Sequence, residues 1–314
     1  MINNTVEHFV TLFDSNFLPM GLALHDSLMS HGQPFHLWIV CMDELVEQQL
    51  ARIALPHVTP VSLSTVETPE LLAVKPGRSQ VEYCWTITPF TFQAVYCLDN
   101  SIERVTYLDS DIFFYAAPRI LLQELEASGK DLLITEHAYA PAYEYYLNLS
   151  GRFCVQFMTF RRTPAADKVM LWWQERCLEW CFESHEGGKF GDQKYLDVWP
   201  ELFADEVHIL RQKEKTLAPW NVKYFENLHG RLDPVFYHFQ RFRIINQNEV
   251  RLYGSYEIDS IGLQLYDVYL EAIRKSLRTM KEFGIAMPYT REQLSLKEWI
   301  GKAIRKDPHF ARLY

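Results

Sequence analysis

The stretch Val105-Thr106-Tyr107-Leu108-Asp109-Ser110-Asp111 (VTYLDSD, residues 105–111) joins an apolar run to two closely spaced carboxylates. The run predicts a buried strand over 104–108. Ligands of open α/β sheets bind beyond the carboxyl ends of strands. Two aspartates at positions i and i+2 can converge there on one hard cation, such as Mg²⁺ or Mn²⁺. The alternative is a pair of turn-forming aspartates that cap the next segment.

Outward from this stretch, short apolar runs alternate with amphipathic segments. Strands are predicted at 8–13, 35–42 and 59–63, and helices at 18–29 and 44–53. This strand–helix–strand rhythm is typical of parallel sheets with crossover helices. The predicted fold class is therefore α/β, with a mixed, mainly parallel sheet flanked by helices.

The rest of the chain extends this pattern and then departs from it. The predictions are a polar, mobile loop at 77–82, a loop at 137–150, strands at 131–135 and 153–160, and helices at 90–98, 165–182, 192–198, 261–283 and 294–306. The clearest boundary lies near residue 255. We therefore expect an α/β domain over 1–255 and a basic helical appendage over 256–314.

Composition and charge limit the possible function classes. The 314 residues are 48% hydrophobic and 23% charged, as in ordinary globular proteins. A net charge of −9 makes a general nucleic-acid binder a poor hypothesis. The sequence shows no signal peptide, no apolar run long enough to span a bilayer and no CxxC pair. These features lead us to expect a cytoplasmic protein with reduced thiols.

The C-terminal segment differs from the acidic remainder of the chain. Residues 271–314 carry ten Lys or Arg and five Asp or Glu. Within it, Trp299, Ile300 and Ile304 are flanked by lysine and arginine, which makes an amphipathic, cationic stretch. This pattern predicts weak peripheral contact with the anionic inner face of a membrane. The alternative is a solvated packing helix.

Two further positions are candidates for chemistry. His238 stands in the aromatic run Phe236-Tyr237-His238-Phe239, where a histidine is usually a satisfied core residue. It could instead be a third metal ligand that the fold brings to the paired aspartates. Asp192-Gln193 follows a glycine-containing segment, and composition alone favours a helix N-cap there. The alternative is a polar pair beneath a reacting group.

Asp14, Arg241 and Arg243 are weaker candidates. Asp14 ends the first predicted strand and could either form a turn or accept hydrogen bonds from a base or ribose. Arg241 and Arg243 occupy alternate positions, so on a strand they would share one face and suit a phosphate.

Taken in order, five pieces of the sequence resemble bacterial glycosyltransferases of the GT-A type, which use nucleotide-diphospho-sugars. Within this type, the sequence is most similar to the glycogenin and lipopolysaccharide-galactosyltransferase relatives. The resemblance covers roughly residues 8–245. It is carried by Thr11-Leu12-Phe13-Asp14, Ser27-Leu28, residues 105–111, Phe190-Gly191-Asp192-Gln193 and Phe236-Tyr237-His238-Phe239.

This resemblance implies a GT-A, Rossmann-like fold and a metal-dependent enzyme that moves a hexose-type sugar with retention. The donor would be a nucleotide-diphospho-sugar, and the acceptor a glycan, a lipid-linked molecule or a protein, as in polysaccharide biosynthesis. By this resemblance, Asp109, Asp111 and His238 would bind Mn²⁺ or Mg²⁺. Thr11 and Asp14 would contact the base and the ribose. Asp192 and Gln193 would lie near the anomeric carbon and the acceptor.

Two departures from the family pattern bear on these roles. An Asn-x-Gly segment, which lines the donor sugar in relatives, is replaced by residues 152–157 (RFCVQF), where Gln156 is the candidate to take its place. The Gly and Lys-Pro-Trp that usually follow the histidine are also missing. We expect Arg241 or Arg243 to take over the diphosphate contact, since a guanidinium can bind phosphate through two parallel hydrogen bonds.

Two other function classes share these residues. A nucleotidyltransferase or phosphoryl-transfer enzyme could use the same Asp pair, although it would want a glycine-rich phosphate loop or a third carboxylate. A non-catalytic sugar-nucleotide-binding protein with a degenerate site is supported by the missing Asn-x-Gly. The intact Asp109, Asp111, Asp192 and Gln193 argue against it.

Overall fold

The computed structural model describes residues 6–31, 34–289 and 309–313. The strands are β1 (Glu7–Phe13), β2 (Phe35–Cys41), β3 (Val58–Ser62), β4 (Arg104–Leu108), β5 (Ile112–Phe114), β6 (Leu132–Glu136), β7 (Phe153–Arg161), β8 (Val207–Ile209), β9 (Thr216–Leu217), β10 (Phe236–His238), β11 (Arg243–Asn246), β12 (Glu249–Arg251) and β13 (Phe310–Arg312). The helices are α1 (Leu18–Met29), α2 (Glu44–Ile53), α3 (Leu63–Val66), α4 (Pro69–Val74), α5 (Gln80–Ile87), α6 (Thr91–Leu98), α7 (Arg119–Ser128), α8 (Tyr146–Ser150), α9 (Pro164–Glu179), α10 (Trp199–Leu202), α11 (Val222–His229) and α12 (Ser260–Glu282).

Seven of the described strands form the central sheet, in the order β3-β2-β1-β4-β7-β6-β8. Neighbours are parallel except β7, which is antiparallel to both β4 and β6. Side chains on both faces of β1 and β2 are buried, among them Phe9, Val10, Ile39 and Val40. Strands covered on both faces read as continuous apolar runs. The prediction of a mixed, mainly parallel α/β sheet is confirmed.

Two pairings bring distant segments to the edge where β4 ends. Because β7 runs backwards beside β4, its first half lies at that edge, and Leu108 pairs with Phe157. A small second sheet, in the order β5-β10-β9, begins just after β4. The antiparallel register between β5 and β10 sets His238 opposite Ile112, the residue directly after Asp111. Residues from β4, β7 and β10 therefore meet at one place.

Helix α12 packs into the same hydrophobic cluster as β1 and α1. The Tyr269 ring stacks on Phe239 with 3.7 Å between centroids, and Lys275 forms an ion pair with Asp26 of α1. The third sheet, β11-β12-β13, is antiparallel and joins β13 to the segment after β10. The domain division at residue 255 stays a prediction.

Most predicted elements agree with the observed ones to within a few residues, and the predicted helix 44–53 matches α2 at both ends. The prediction of a mobile loop at 77–82 is wrong. Residues 75–77 form a 3-10 turn, and α5 begins at Gln80 with a capping box between Ser79 and Glu82. The Ser-x-x-Glu spacing that announces such a box was present in the sequence.

The second predicted loop, 137–150, contains the short helix α8. The predicted helix 294–306, with the amphipathic cationic stretch, lies outside the described residues. Across the described part of the chain, no helix combines the length and apolar character needed to cross a membrane.

Candidate metal centre and donor site

Asp109, Asp111 and His238 form a compact cluster whose ligand atoms all lie within 4.8 Å of one another. The His238 Nε2 atom is 3.1 Å from Asp111 Oδ1 and 3.6 Å from Asp109 Oδ2. Among the described residues, this is the one group of three or more His, Cys, Asp or Glu side chains placed to share a metal ion.

The backbone fixes this cluster from three sides. The Asp109 N–H donates to the Gln156 carbonyl of β7 at 3.0 Å, and the Ile112 N–H donates to the Asp109 carbonyl at 3.2 Å, closing a tight turn. The Phe239 N–H donates to the Asp111 carbonyl at 2.8 Å. Both carboxylates therefore leave a turn that is tied to β7 on one side and to β10 on the other.

Burial and mutual charge set the protonation of the cluster. Burial raises the pKa of Asp109 to about 6, against the opposing charge of His238. Burial also pushes the pKa of Asp111 upward, but the charge and hydrogen bond of His238 outweigh it and hold that pKa below its usual value. Burial alone would lower the pKa of His238, whereas Asp111 keeps it well above the usual value. The two carboxylates therefore favour a positive charge between them, which here is supplied by His238.

The residues fit a divalent cation. Two carboxylates supply hard oxygen ligands, and an imidazole supplies a borderline nitrogen, a set compatible with Mn²⁺ or Mg²⁺. Tyr107 donates its hydroxyl proton to Asp109 Oδ1 at 3.1 Å and so orients that carboxylate. Asp109 remains partly open to solvent, with 30% of its side chain exposed. A ligand can therefore reach the cluster from that side.

Asp192 lies deeper in the same region. Its side chain is 5% exposed, and its carbonyl accepts a hydrogen bond from Trp173 Nε1 at 2.9 Å. Burial, together with the charge of Asp109, raises the pKa of Asp192 to about 8. The capping interpretation of this segment is wrong, because the 3-10 helix Lys194–Val198 has Gln193 at its N-cap and no side-chain cap hydrogen bond.

Gln193 is tied to the loop that carries α8. Its Nε2 atom donates to the Ser150 carbonyl at 2.7 Å, and Lys194 Nζ donates to the Leu147 carbonyl at 2.8 Å. These bonds place the start of the 3-10 helix beside residues 147–150.

Thr11 and Asp14 lie at the end of β1. Thr11 is fully buried, and its hydroxyl oxygen has no hydrogen-bond partner. Asp14 accepts hydrogen bonds from the Asn16 N–H at 2.9 Å and from Gln80 Nε2 at 2.7 Å. The turn-forming alternative for Asp14 therefore describes its local role. Gln80, which sequence reasoning had assigned to a mobile loop, is brought beside it.

The two arginines do not share a strand face. Arg241 precedes β11 in a left-handed conformation, with φ of 72°, and its side chain lies beside Gly254. The Arg243 guanidinium lies over the Phe17 ring, 4.7 Å from its centroid, and its charge acts on Asp111. The reasoning from alternate strand positions is thus wrong, and of the two arginines Arg243 is the one whose charge acts on an aspartate of the cluster.

Gln156 is 1% exposed and makes two side-chain contacts. Its Oε1 atom is 2.8 Å from His238 Nδ1, and its Nε2 atom is 3.5 Å from the Thr135 hydroxyl. The sequence indicated neither contact, because both depend on where the antiparallel strand β7 enters the sheet.

The chain has the GT-A fold of glycosyltransferases. It superimposes on the apo structure of WbbM, a bifunctional glycosyltransferase, with a TM-score of 0.55 at 15% identity, over 90% of this chain and 52% of that one. No protein-family model matches the sequence.

Two Bacillus subtilis (strain 168) proteins are similar along most of the sequence. The uncharacterised protein YfnD is 31% identical, over 97% of this chain and 93% of its own length. The uncharacterised protein YfnF is 34% identical, over 77% of this chain and 84% of its own length. The chain belongs to the family of YfnD and YfnF.

Proposed function

We propose that this protein is a metal-dependent glycosyltransferase that moves a sugar from a nucleotide-diphosphate donor to an acceptor. The observation that carries the proposal is the cluster of Asp109, Asp111 and His238 at the carboxyl edge of a GT-A sheet. Fold alone does not define activity, so the argument depends on the chemistry of this cluster.

Asp109, Asp111 and His238 would hold Mn²⁺ or Mg²⁺, and the bound ion would supply Lewis-acid stabilisation of a diphosphate leaving group. Arg243 stacks on Phe17 beside the same cluster and supplies a second positive charge. Guanidinium groups bind phosphate oxygens in a planar, two-bond geometry. Charge that develops on the diphosphate as the anomeric bond breaks would thus meet fixed positive groups.

Asp192 and Gln193 are proposed to face the sugar and the acceptor. With its pKa near 8, the apo Asp192 carboxyl is protonated at neutral pH and can donate a hydrogen bond. A cation beside Asp109 would offset that negative charge and favour ionisation of Asp192. In a retaining transfer the acceptor hydroxyl approaches on the face of the departing diphosphate, whose oxygen can take the hydroxyl proton.

Aromatic rings support an acceptor side beyond the metal cluster. In the sheet order, Thr11 lies on β1 with Asp14 directly after it, the cluster lies at β4, and the 137–150 loop follows β6, on the opposite side of the cluster from β1. Half-exposed rings of that loop pack together, with Tyr139 and Tyr146 at 5.7 Å. Such rings present apolar faces with polar edges, which suits the alternating C–H and O–H surface of a saccharide.

The decisive experiment is a screen of nucleotide sugars for Mn²⁺-dependent hydrolysis, with and without EDTA. Asp111→Asn should abolish metal-dependent donor binding and hydrolysis. The matched control is Asp205→Asn, since Asp205 is exposed and lies just before β8, at the opposite edge of the sheet. A wild-type rate in the Asp111 variant would contradict the proposal.

The products distinguish the other classes. A nucleotidyltransferase would release pyrophosphate or join a nucleotide, whereas a glycosyltransferase releases a nucleoside diphosphate and a sugar. A non-catalytic binding protein would bind the donor without either product. Contact with a lipid-linked acceptor at the inner membrane face belongs to the same proposal, and its sequence support lies in residues outside the described ranges.

A further inference from the structure

Gln156 occupies a position between the metal cluster and the core of the sheet that the proposed reaction does not explain. Its side chain is almost fully buried, and buried amides persist when both their oxygen and nitrogen are hydrogen-bonded. The same residue accepts the Asp109 N–H through its backbone carbonyl at 3.0 Å. Gln156 therefore contacts both the Asp109 backbone and the His238 ring.

The orientation of the Gln156 amide follows from its contact with the Thr135 hydroxyl. The Thr135 hydroxyl donates its one proton toward the carbonyls of Cys154 and Phe157, at 3.3 and 3.5 Å. It can therefore only accept from Gln156, so the amide nitrogen faces Thr135. The amide oxygen then faces His238 Nδ1, at 2.8 Å.

This orientation decides which nitrogen of His238 carries the proton in the neutral ring. An amide oxygen can only accept, so Nδ1 must carry a proton and donate it. The lone pair of the neutral imidazole then lies on Nε2, the atom 3.1 Å from Asp111 Oδ1. With the amide reversed, Nδ1 would accept, Nε2 would be protonated, and the ring could not act as a ligand on that side.

We propose that Gln156 is a positioning residue for His238, whose Nδ1–H it accepts so that the Nε2 lone pair faces the two aspartates as a ligand for a divalent cation. The inference rests on the metal role in the proposed function. Histidine ligands commonly donate their second ring proton to an outer partner, and loss of that partner typically weakens metal binding 10- to 100-fold.

The test measures Mn²⁺ binding to the full chain by electron paramagnetic resonance, and detects coordinated ¹⁴N by electron spin echo envelope modulation. Gln156→Met keeps the shape but removes the acceptor, so we expect binding about 10- to 100-fold weaker, with reduced ¹⁴N modulation. Gln156→Glu keeps an acceptor for Nδ1–H and should retain the ¹⁴N signal. Gln174→Met is the matched control, because Gln174 is also buried but bonds Pro89 and Gln93 instead.

Wild-type Mn²⁺ affinity and wild-type ¹⁴N modulation in Gln156→Met would overturn the inference, as would equal losses in Gln156→Met and Gln174→Met. Thr135→Val covers the case in which Gln156→Met does not fold. It removes the group that orients the amide, so weaker binding is expected there too, and unchanged binding would count against the inference. Because these readouts need no sugar nucleotide, failure of the proposed transferase activity would appear separately, as absent donor hydrolysis despite normal Mn²⁺ binding.

Discussion

Replacing Asp192 with asparagine should stabilise the metal-free protein, and increasingly so at higher pH. The unfolded chain ionises this carboxyl near its ordinary pKa of 3.8, whereas the folded protein holds the proton until about pH 8. Between these values the folded state binds one more proton than the unfolded state, so stability falls as pH rises. Below about pH 4 the carboxyl is protonated in both states, so it no longer lowers the stability.

The size of the effect follows from the two pKa values. One pKa unit corresponds to about 1.4 kcal/mol, so the ionised, buried carboxylate lowers the stability by roughly 6 kcal/mol once the pH exceeds 8. Asp192→Asn has no such proton to lose. The difference in unfolding free energy between the variant and the wild type should therefore grow by about 1.4 kcal/mol per pH unit between pH 5 and 7, and by less as the pH approaches 8.

Urea unfolding of both proteins in EDTA, at pH 5, 6, 7 and 8, measures this difference. EDTA keeps cations away from Asp109, whose charge contributes to the raised pKa of Asp192. Other groups that titrate in this range and do not interact with Asp192 cancel in the comparison. A difference that does not change with pH, or a variant less stable than the wild type at pH 8, would refute the reasoning. Donor hydrolysis should be lost in the same variant.

Two further predictions concern Gly191, the residue before Asp192, and Tyr146 of the proposed acceptor side. Gly191 has φ of +51°, and a Cβ there would lie 3.2 Å from Trp85 Cε3. Gly191→Ala should therefore lower stability by about 1–3 kcal/mol in thermal unfolding. Gly188→Ala, at φ of +74° with no atom within 4 Å, should lose less, and equal losses would exclude a role for the Trp85 contact. Tyr146→Ala should raise the acceptor KM while Mn²⁺-dependent donor hydrolysis stays unchanged. Tyr146→Phe keeps the ring and should keep the wild-type KM. A higher KM in both variants would contradict a role for ring stacking.

The sequence predicted the first half of the sheet well because the information there is local. The runs at 8–13 and 35–42 are apolar on both faces, and the bounds of α2 follow from amphipathic spacing. The Asp109-Ser110-Asp111 turn could likewise be placed after a strand. None of these predictions required knowledge of which distant strand lies beside another.

The rest of the site depends on such knowledge. His238 joins the aspartates only because β10 pairs antiparallel with β5 in one register, and a shift by one residue would turn its ring to the other face. Gln156 meets His238 because β7 enters antiparallel beside β4. Single-sequence patterns predict that both segments are strands. They do not predict the partner, the direction or the register.

The buried acids argue against a degenerate site. Asp111 and Asp192 are each less than a tenth exposed, Asp109 is partly buried, and the charge of Asp109 raises the pKa of Asp192. Like charges in a low-dielectric region destabilise a fold unless a cation offsets them. Amides of the same shape would remove this cost, so a protein with no use for a cation here would be more stable without the carboxylates. Gln156, which stands where relatives carry Asn-x-Gly, has both ends of its amide bonded within the protein and its oxygen on the imidazole of the cluster, so its contacts serve the cluster and not a donor sugar.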